Sequence, residues 1–275
     1  MEYGKPRVVA EQGAVNMIIQ KIYGWIPDLP DQRDYLYSSV KPKIRLPKQV
    51  DLTGFCSVVE DQSRLGSCTA CALAGNLEFI DIKGITGTVP AFWGLSRLGK
   101  YTDVSRLFIY YNERALRNNE DFDSGASLRD GIKTLRKQGF CWEKNWPYLI
   151  KRFDQRPPRK CYLEAKNHLI ESYYRIHTLS EMLTCLTQGY PFVFGFTVYE
   201  SFESKQTEKT GRAMMPEKGE RVIGGHAVLA VGYNQKEKRF LVRNSWGAKW
   251  GMCGYFTLPY EYVETLAADF WTIRK

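Results

Sequence analysis

Cysteine and histidine, the side chains that most readily do nucleophilic and acid–base work near neutral pH, are scarce enough here to weigh one by one. The 275 residues hold seven cysteines and three histidines, His168, His177 and His226. Cys68 stands where a Gly66-Ser67 turn feeds an Ala- and Leu-rich stretch without proline. That pattern predicts a helix over 68–83 with Ser67 as its N-cap. A helix N-terminus favours an anion, so the Cys68 thiol is expected to ionise more readily than a free cysteine. The competing reading is a buried cysteine acting as a small hydrophobe. His226 follows Gly224-Gly225 at the head of an apolar run over 227–233. A polar ring at a strand mouth, behind two glycines that let another segment approach closely, is placed for chemistry. His168 and His177 fall in the mixed stretch 164–178 and read as surface or structural residues.

Cys68 and Cys71 also form a Cys-x-x-Cys pair, the spacing of half a zinc site or of a redox dithiol. No second ligand pair stands at metal spacing, and the preceding segment, 47–66, is polar and turn-rich rather than the buried strand a redox βαβ unit needs. No metal and no cofactor are therefore expected, and Cys71 is placed one helical turn below Cys68, facing the core. The odd cysteine count excludes a fully disulfide-bonded framework.

The elements that must position these residues change character along the chain. Val15, Ile18, Ile19, Ile22 and Tyr23 fall on one helical face, before a break at Gly24-Trp25-Ile26-Pro27. Four prolines between Pro27 and Pro47 disfavour helix and interior strand alike, so that strip reads as an arm lying over a surface, either a plain extension or a segment covering a cleft. Helices are predicted at 104–118, at 128–137 with Gly139 just past its end, and at 180–188. Strands are predicted at 192–199, 226–233, 239–245, 255–258 and 270–273, and a long exposed loop over 203–221. Helices first and strands second give an α+β fold of two subdomains.

Composition narrows the function classes. With 44% hydrophobic residues the chain can bury a full core. Its net charge of +9 comes from 39 Lys and Arg interspersed with 30 Asp and Glu, a solvated basic surface rather than a nucleic-acid-binding stripe. No run of about 18 apolar residues offers a membrane span, and no Sec-type signal peptide opens the chain. Free thiols and a reducing compartment are expected, or export by a non-Sec route, and the compartment stays unassigned.

Three strings, in order, resemble the papain family of cysteine peptidases: Asp61-Gln62-Ser63-Arg64-Leu65-Gly66-Ser67-Cys68, then Gly225-His226-Ala227-Val228, then Asn244-Ser245-Trp246-Gly247 with Trp250-Gly251 and Gly254-Tyr255. The resemblance covers about 46–275. It implies a helical left domain over about 60–175 and a β-rich right domain over about 176–275, with an active-site cleft between them. It further implies Cys68 as nucleophile, His226 as its proton partner in a thiolate–imidazolium pair, Asn244 as the residue orienting the imidazole, and Gln62 with the Cys68 N–H as oxyanion donors. Trp246 would shield the Asn244–His226 hydrogen bond, and Gly125 and Ala126, with Gly225, would line the substrate path. Leu65 replaces the cysteine the family carries three residues before the nucleophile, removing a common disulfide, and Thr69 replaces the tryptophan that follows it. The implied activity is peptide-bond hydrolysis on peptide or protein substrates by a monomer, with residues 1–45 as a short prosegment over the cleft. A papain-fold acyltransferase and an inactive peptide-binding homologue are the alternatives.

Overall fold

The computed structural model describes residues 22–86 and 101–275. Among these, helices run over Cys68–Thr86 (α1), Arg106–Ala115 (α2), Leu128–Lys137 (α3), Arg159–Ala165 (α4), Leu179–Thr187 (α5), Lys205–Thr210 (α6) and Tyr260–Leu266 (α7). Strands run over Gln49–Asp51 (β1), Ser172–Ile176 (β2), Phe192–Tyr199 (β3), Val222–Asn234 (β4), Arg239–Arg243 (β5), Tyr255–Pro259 (β6) and Ala267–Arg274 (β7). The longer helices begin where hydroxyl caps permit: the side chains of Ser105, Ser127 and Thr178 accept from the backbone N–H of Phe108, Asp130 and Glu181, each at 3.2 Å. Gly139, at φ 79°, takes the left-handed turn after α3 that a side chain would resist. Helix α3 buries Leu128, Ile132 and Leu135 on one face, while α1 is enclosed nearly all round, consistent with its Ala- and Leu-rich sequence.

The strands form one antiparallel sheet in the order β2-β7-β3-β4-β5-β6, with β1 added to the far end of β4. Strand β4 is buried continuously from His226 to Tyr233, packing against α1, so its sequence is an unbroken apolar run rather than an alternating one. This α+β arrangement stands a mainly helical half against a sheet half, with the Cys68 end of α1 meeting the His226 end of β4.

Several elements depart from expectation. Residues 164–178 contain strand β2, and the loop expected over 203–221 contains α6. The helix expected over 14–23 lies outside the described residues except for Ile22 and Tyr23, which are not helical. Among the described residues no helix is long and apolar enough to cross a membrane. All seven cysteines are free, six of them buried and Cys253 exposed.

Candidate active site

Cys68 opens α1 and is fully buried. Ser67 gives its carbonyl to the N–H of Cys71 at 3.0 Å, and its hydroxyl pairs with the Tyr148 hydroxyl at 2.6 Å. His226 lies opposite Phe196 in the β3–β4 register. The N–H of the next residue, Ala227, donates to the Cys68 sulfur, as do those of Thr69 and Gly24. Arg243 at the end of β5 pairs with Leu229 of β4, which carries Asn244 alongside His226. His226 Nε2 and Asn244 Oδ1 are 2.8 Å apart. The same oxygen accepts from the Ser245 backbone N–H at 2.8 Å, which fixes it as the carbonyl oxygen and makes Nε2 the protonated nitrogen. The Trp246 ring stacks on the imidazole, centroids 5.0 Å apart and planes at 27°, and covers this pair.

Gln62 reaches the same place through a bridge between Asp61 and Trp246 and through its own N–H, which donates to the Ser245 carbonyl at 2.8 Å. Its side-chain oxygen accepts from Ser245 Oγ at 2.6 Å, which turns the amide NH2 outward; that group donates to the Leu65 carbonyl at 3.0 Å and to the Ile22 carbonyl at 3.2 Å.

Ile22 belongs to the arm, and the residues after it occupy the rest of the site. Tyr23 sits edge-on to His226 and Trp246, at 5.9 and 6.2 Å, and its hydroxyl bonds Glu203. Gly24 crosses the Gly66 turn so closely that a Cβ on it would fall 1.7 Å from the Gly66 oxygen, and its own carbonyl accepts from Ala126 N at 2.8 Å. Trp25 N–H donates to the Gly225 carbonyl at 3.1 Å, and Ile26 N–H to the Ala126 carbonyl at 2.9 Å. Gly125 is left-handed at φ 71° with Gly24 against it, so both of these crossing backbones need glycine. Every site residue named from the sequence therefore lies in one region, and Gly125, Ala126, Gly225 and Trp246 all meet the arm.

Two residues given no role from the sequence hold this strip. The Asp123 carboxylate accepts from Gly66 N at 3.0 and 3.1 Å and from the Tyr110 hydroxyl, which in turn accepts from Gly125 N at 3.2 Å. Tyr110 belongs to no motif, and Asp123 opens the stretch that holds Gly125 and Ala126. Thr69, in place of a tryptophan, donates its hydroxyl to buried Glu113 at 2.6 Å. His168 stacks on Phe140 and tilts against Trp142, at 5.3 and 4.6 Å, a packing role.

The thiol differs from the expectation of a readily ionised one. Burial pushes Cys68 up to about 11, with the Glu113 carboxyl raising it further and the N–H groups of Ala227, Gly24 and Thr69 opposing the shift. The helix N-terminus does supply a donor, but Cys68 is fully buried, away from the water that a thiolate needs.

An antiparallel sheet set against a buried helix, with a cysteine at the helix start and a histidine–asparagine pair on the facing strands, is an α+β arrangement of two packed halves. The sequence profile of papain family cysteine proteases matches residues 117–267. An uncharacterized peptidase C1-like protein of Acanthamoeba polyphaga mimivirus is 42% identical over 94% of this chain and 88% of its own length. Mouse pro-cathepsin H is 31% identical over 74% of this chain and 56% of its own. Xylellain, a cysteine protease from Xylella fastidiosa, superposes with a TM-score of 0.79 at 41% identity, covering 92% of this chain and 96% of that one. The chain belongs to the papain family of cysteine proteases.

Proposed function

We propose that the chain is a cysteine endopeptidase whose catalytic unit spans 46–275 and whose residues 1–45 form an arm that keeps it latent. Cys68 is the nucleophile. With Nε2–H held by Asn244, His226 presents Nδ1 to the thiol and takes its proton, forming the thiolate–imidazolium pair. The thiolate attacks the scissile carbonyl carbon, and the oxygen that gains the charge is held by the Gln62 amide and the Cys68 N–H. The C–N bond breaks as His226 returns the proton to the leaving amine. Water, deprotonated by His226, then hydrolyses the thioester. Gly125, Ala126 and Gly225 hold the substrate backbone, and Trp246 covers the His226–Asn244 bond.

The observation that carries this reading is the way the arm engages the site. The Gln62 amide binds the carbonyl of Ile22, while the atom offered to the Cys68 sulfur is the N–H of Gly24. Oxyanion donor and nucleophile are occupied by different residues of the arm, so no single carbonyl meets both and the arm blocks without being cut. The test is intact-mass analysis after exposure to an epoxysuccinyl peptide, which alkylates activated active-site thiols. One adduct on Cys68 is expected, slow in the full chain, about tenfold or more faster in Gly24→Ala, whose arm cannot cross Gly66, and absent in Cys68→Ala. No adduct in either folded form would remove the activated thiol, and equal rates would remove the blocking arm.

A further inference from the structure

Trp25 fills a pocket beside Cys68 whose far wall is polar. Its indole lies on Gly195 of β3 and Gly225 of β4, where an added Cβ would fall 1.9 Å and 2.8 Å from ring carbons, so these two glycines make the space for a large flat side chain. At the far edge of the ring, Nε1–H donates to Asp269 Oδ2 at 3.2 Å. The Asp269 side chain is only 2% exposed, and its other oxygen accepts from Arg175 at 3.0 Å. Oδ2 has a second donor, the Asp28 backbone N–H at 2.7 Å. Asp269 holds this place at φ 58°, a left-handed conformation that Asp and Asn accept more easily than most residues.

Both donors to Oδ2 belong to the arm. When the arm leaves, Oδ2 keeps none of them, while Arg175 stays on Oδ1. A buried carboxylate oxygen stripped of its donors is costly, and an incoming side chain that restores one recovers that cost. The place of that side chain in a substrate follows from the site. The residue whose carbonyl is attacked takes the position of Gly24 at Cys68, and the leaving amine lies toward His226, where Tyr23 now sits. The acyl chain therefore runs the other way, along Ala126, and its next residue enters the pocket of Trp25.

Resting on the peptidase reading above, we infer that Asp269 sets the specificity of this pocket: the opened enzyme selects a substrate residue, second from the scissile bond on the acyl side, that is large and carries an N–H at its far end. Tryptophan fits first and arginine second. Arg175 already balances the Asp269 charge, and Arg129 loses Asp34 when the arm departs, so a full cation gains less than a neutral donor. With the arm in place, burial and the Asp28 carboxylate beside it push Asp269 up to about 6.

The experiment uses the full chain carrying Gly24→Ala and fluorogenic amides that differ only at that position: tryptophan, arginine, phenylalanine or leucine. At neutral pH, kcat/KM for tryptophan should exceed that for phenylalanine by about tenfold, with arginine between them. Asp269→Asn, which retains an acceptor and tolerates the backbone angle, should keep most of the tryptophan preference and lose that for arginine, and Asp269→Ala should lose both. Equal rates for tryptophan and phenylalanine, arginine ahead of tryptophan, or a preference that survives Asp269→Ala would overturn the assignment while leaving a peptidase in place. No Cys68-dependent turnover of any amide would instead remove the peptidase reading and this inference with it. A second measurement avoids the Asp269 variants altogether: in the otherwise intact chain, Trp25→Phe keeps the ring and deletes the donor. It should speed Cys68 alkylation several-fold, and an unchanged rate would count against the donor requirement.

Discussion

At the scale of single residues, Asn244 has one task that geometry isolates. Its Oδ1 is bonded by both the Ser245 N–H and His226 Nε2, so the imidazole is held in one tautomer and one ring orientation. Removing that oxygen frees the ring to adopt the other tautomer, in which the nitrogen facing the thiol already carries a proton and cannot accept another. Asn244→Ala, in a Gly24→Ala chain, should therefore lower kcat about a hundredfold and leave KM nearly unchanged, since Asn244 is proposed to act on the base and not on substrate. Unaltered kcat on a peptide substrate would rule out the orienting role. Gln62, Cys68, His226 and Asn244 were legible beforehand because each sits inside a contiguous string whose neighbours are constrained by the same local geometry. Tyr110 and Asp269 were not, because each reaches this region alone from an ordinary sequence, and only the fold brings it there.

At the scale of elements, the arm is fastened by charge as well as by backbone pairing. Arg129, in the first turn of α3, donates to both oxygens of Asp34 at 3.0 and 2.6 Å, and its N–H donates to Asp28 at 3.1 Å. Arg175 of β2 adds a 3.1 Å contact to Asp34, and its N–H donates to the Tyr35 carbonyl at 2.7 Å. The Asp34 and Arg129 side chains are each only 6% exposed, so removing one partner strands a buried charge, at a cost of about 3–5 kcal/mol. That cost falls on the arm-closed state. Asp34→Ala should speed Cys68 alkylation in the full chain by tenfold or more and change nothing in the Gly24→Ala chain. A similar gain in both would mean the pair supports the catalytic unit rather than the arm. The same packing explains why β2 escaped the sequence: Ser172–Ile176 is half-covered, so its Tyr173, Tyr174 and Arg175 show no clean in–out alternation. Strand β3 and helix α3, each facing the core on its own terms, were placed to the residue, whereas α6 and α7 are too short to show a period. That 27–47 would avoid α-helix and interior strand was legible from its prolines, though not its short 3-10 turn at Tyr37–Ser39, nor which residues of the arm would enter the site, since that depends on a surface assembled from both halves of the chain.

At the scale of the whole molecule, the helical half encloses carboxyl groups that burial pushes well above the ordinary carboxylate range. Glu78 on α1 accepts from Ser57 Oγ at 2.5 Å and from Val104 N at 2.8 Å, and burial pushes it up to about 7 despite buried Arg243 nearby. Glu113 on α2 accepts from Thr69 and is pushed up to about 8, again by burial. Both folded values lie above the ordinary carboxylate range, so their contribution to stability is complete below about pH 4.5 and is lost as pH rises through 7 and 8. Each group is worth on the order of a few kcal/mol across that window. The protein should consequently lose thermal stability between weakly acid and mildly alkaline solution. Glu113→Gln, which keeps the shape and an acceptor for Thr69 but cannot ionise, should flatten that loss. Its melting temperature should draw ahead of the parent's progressively between about pH 5 and pH 8 and hold a constant lead above that range. Melting curves that fall in parallel for the two chains would show that Glu113 is already ionised in the folded protein, the neighbouring Arg114 charge outweighing its burial.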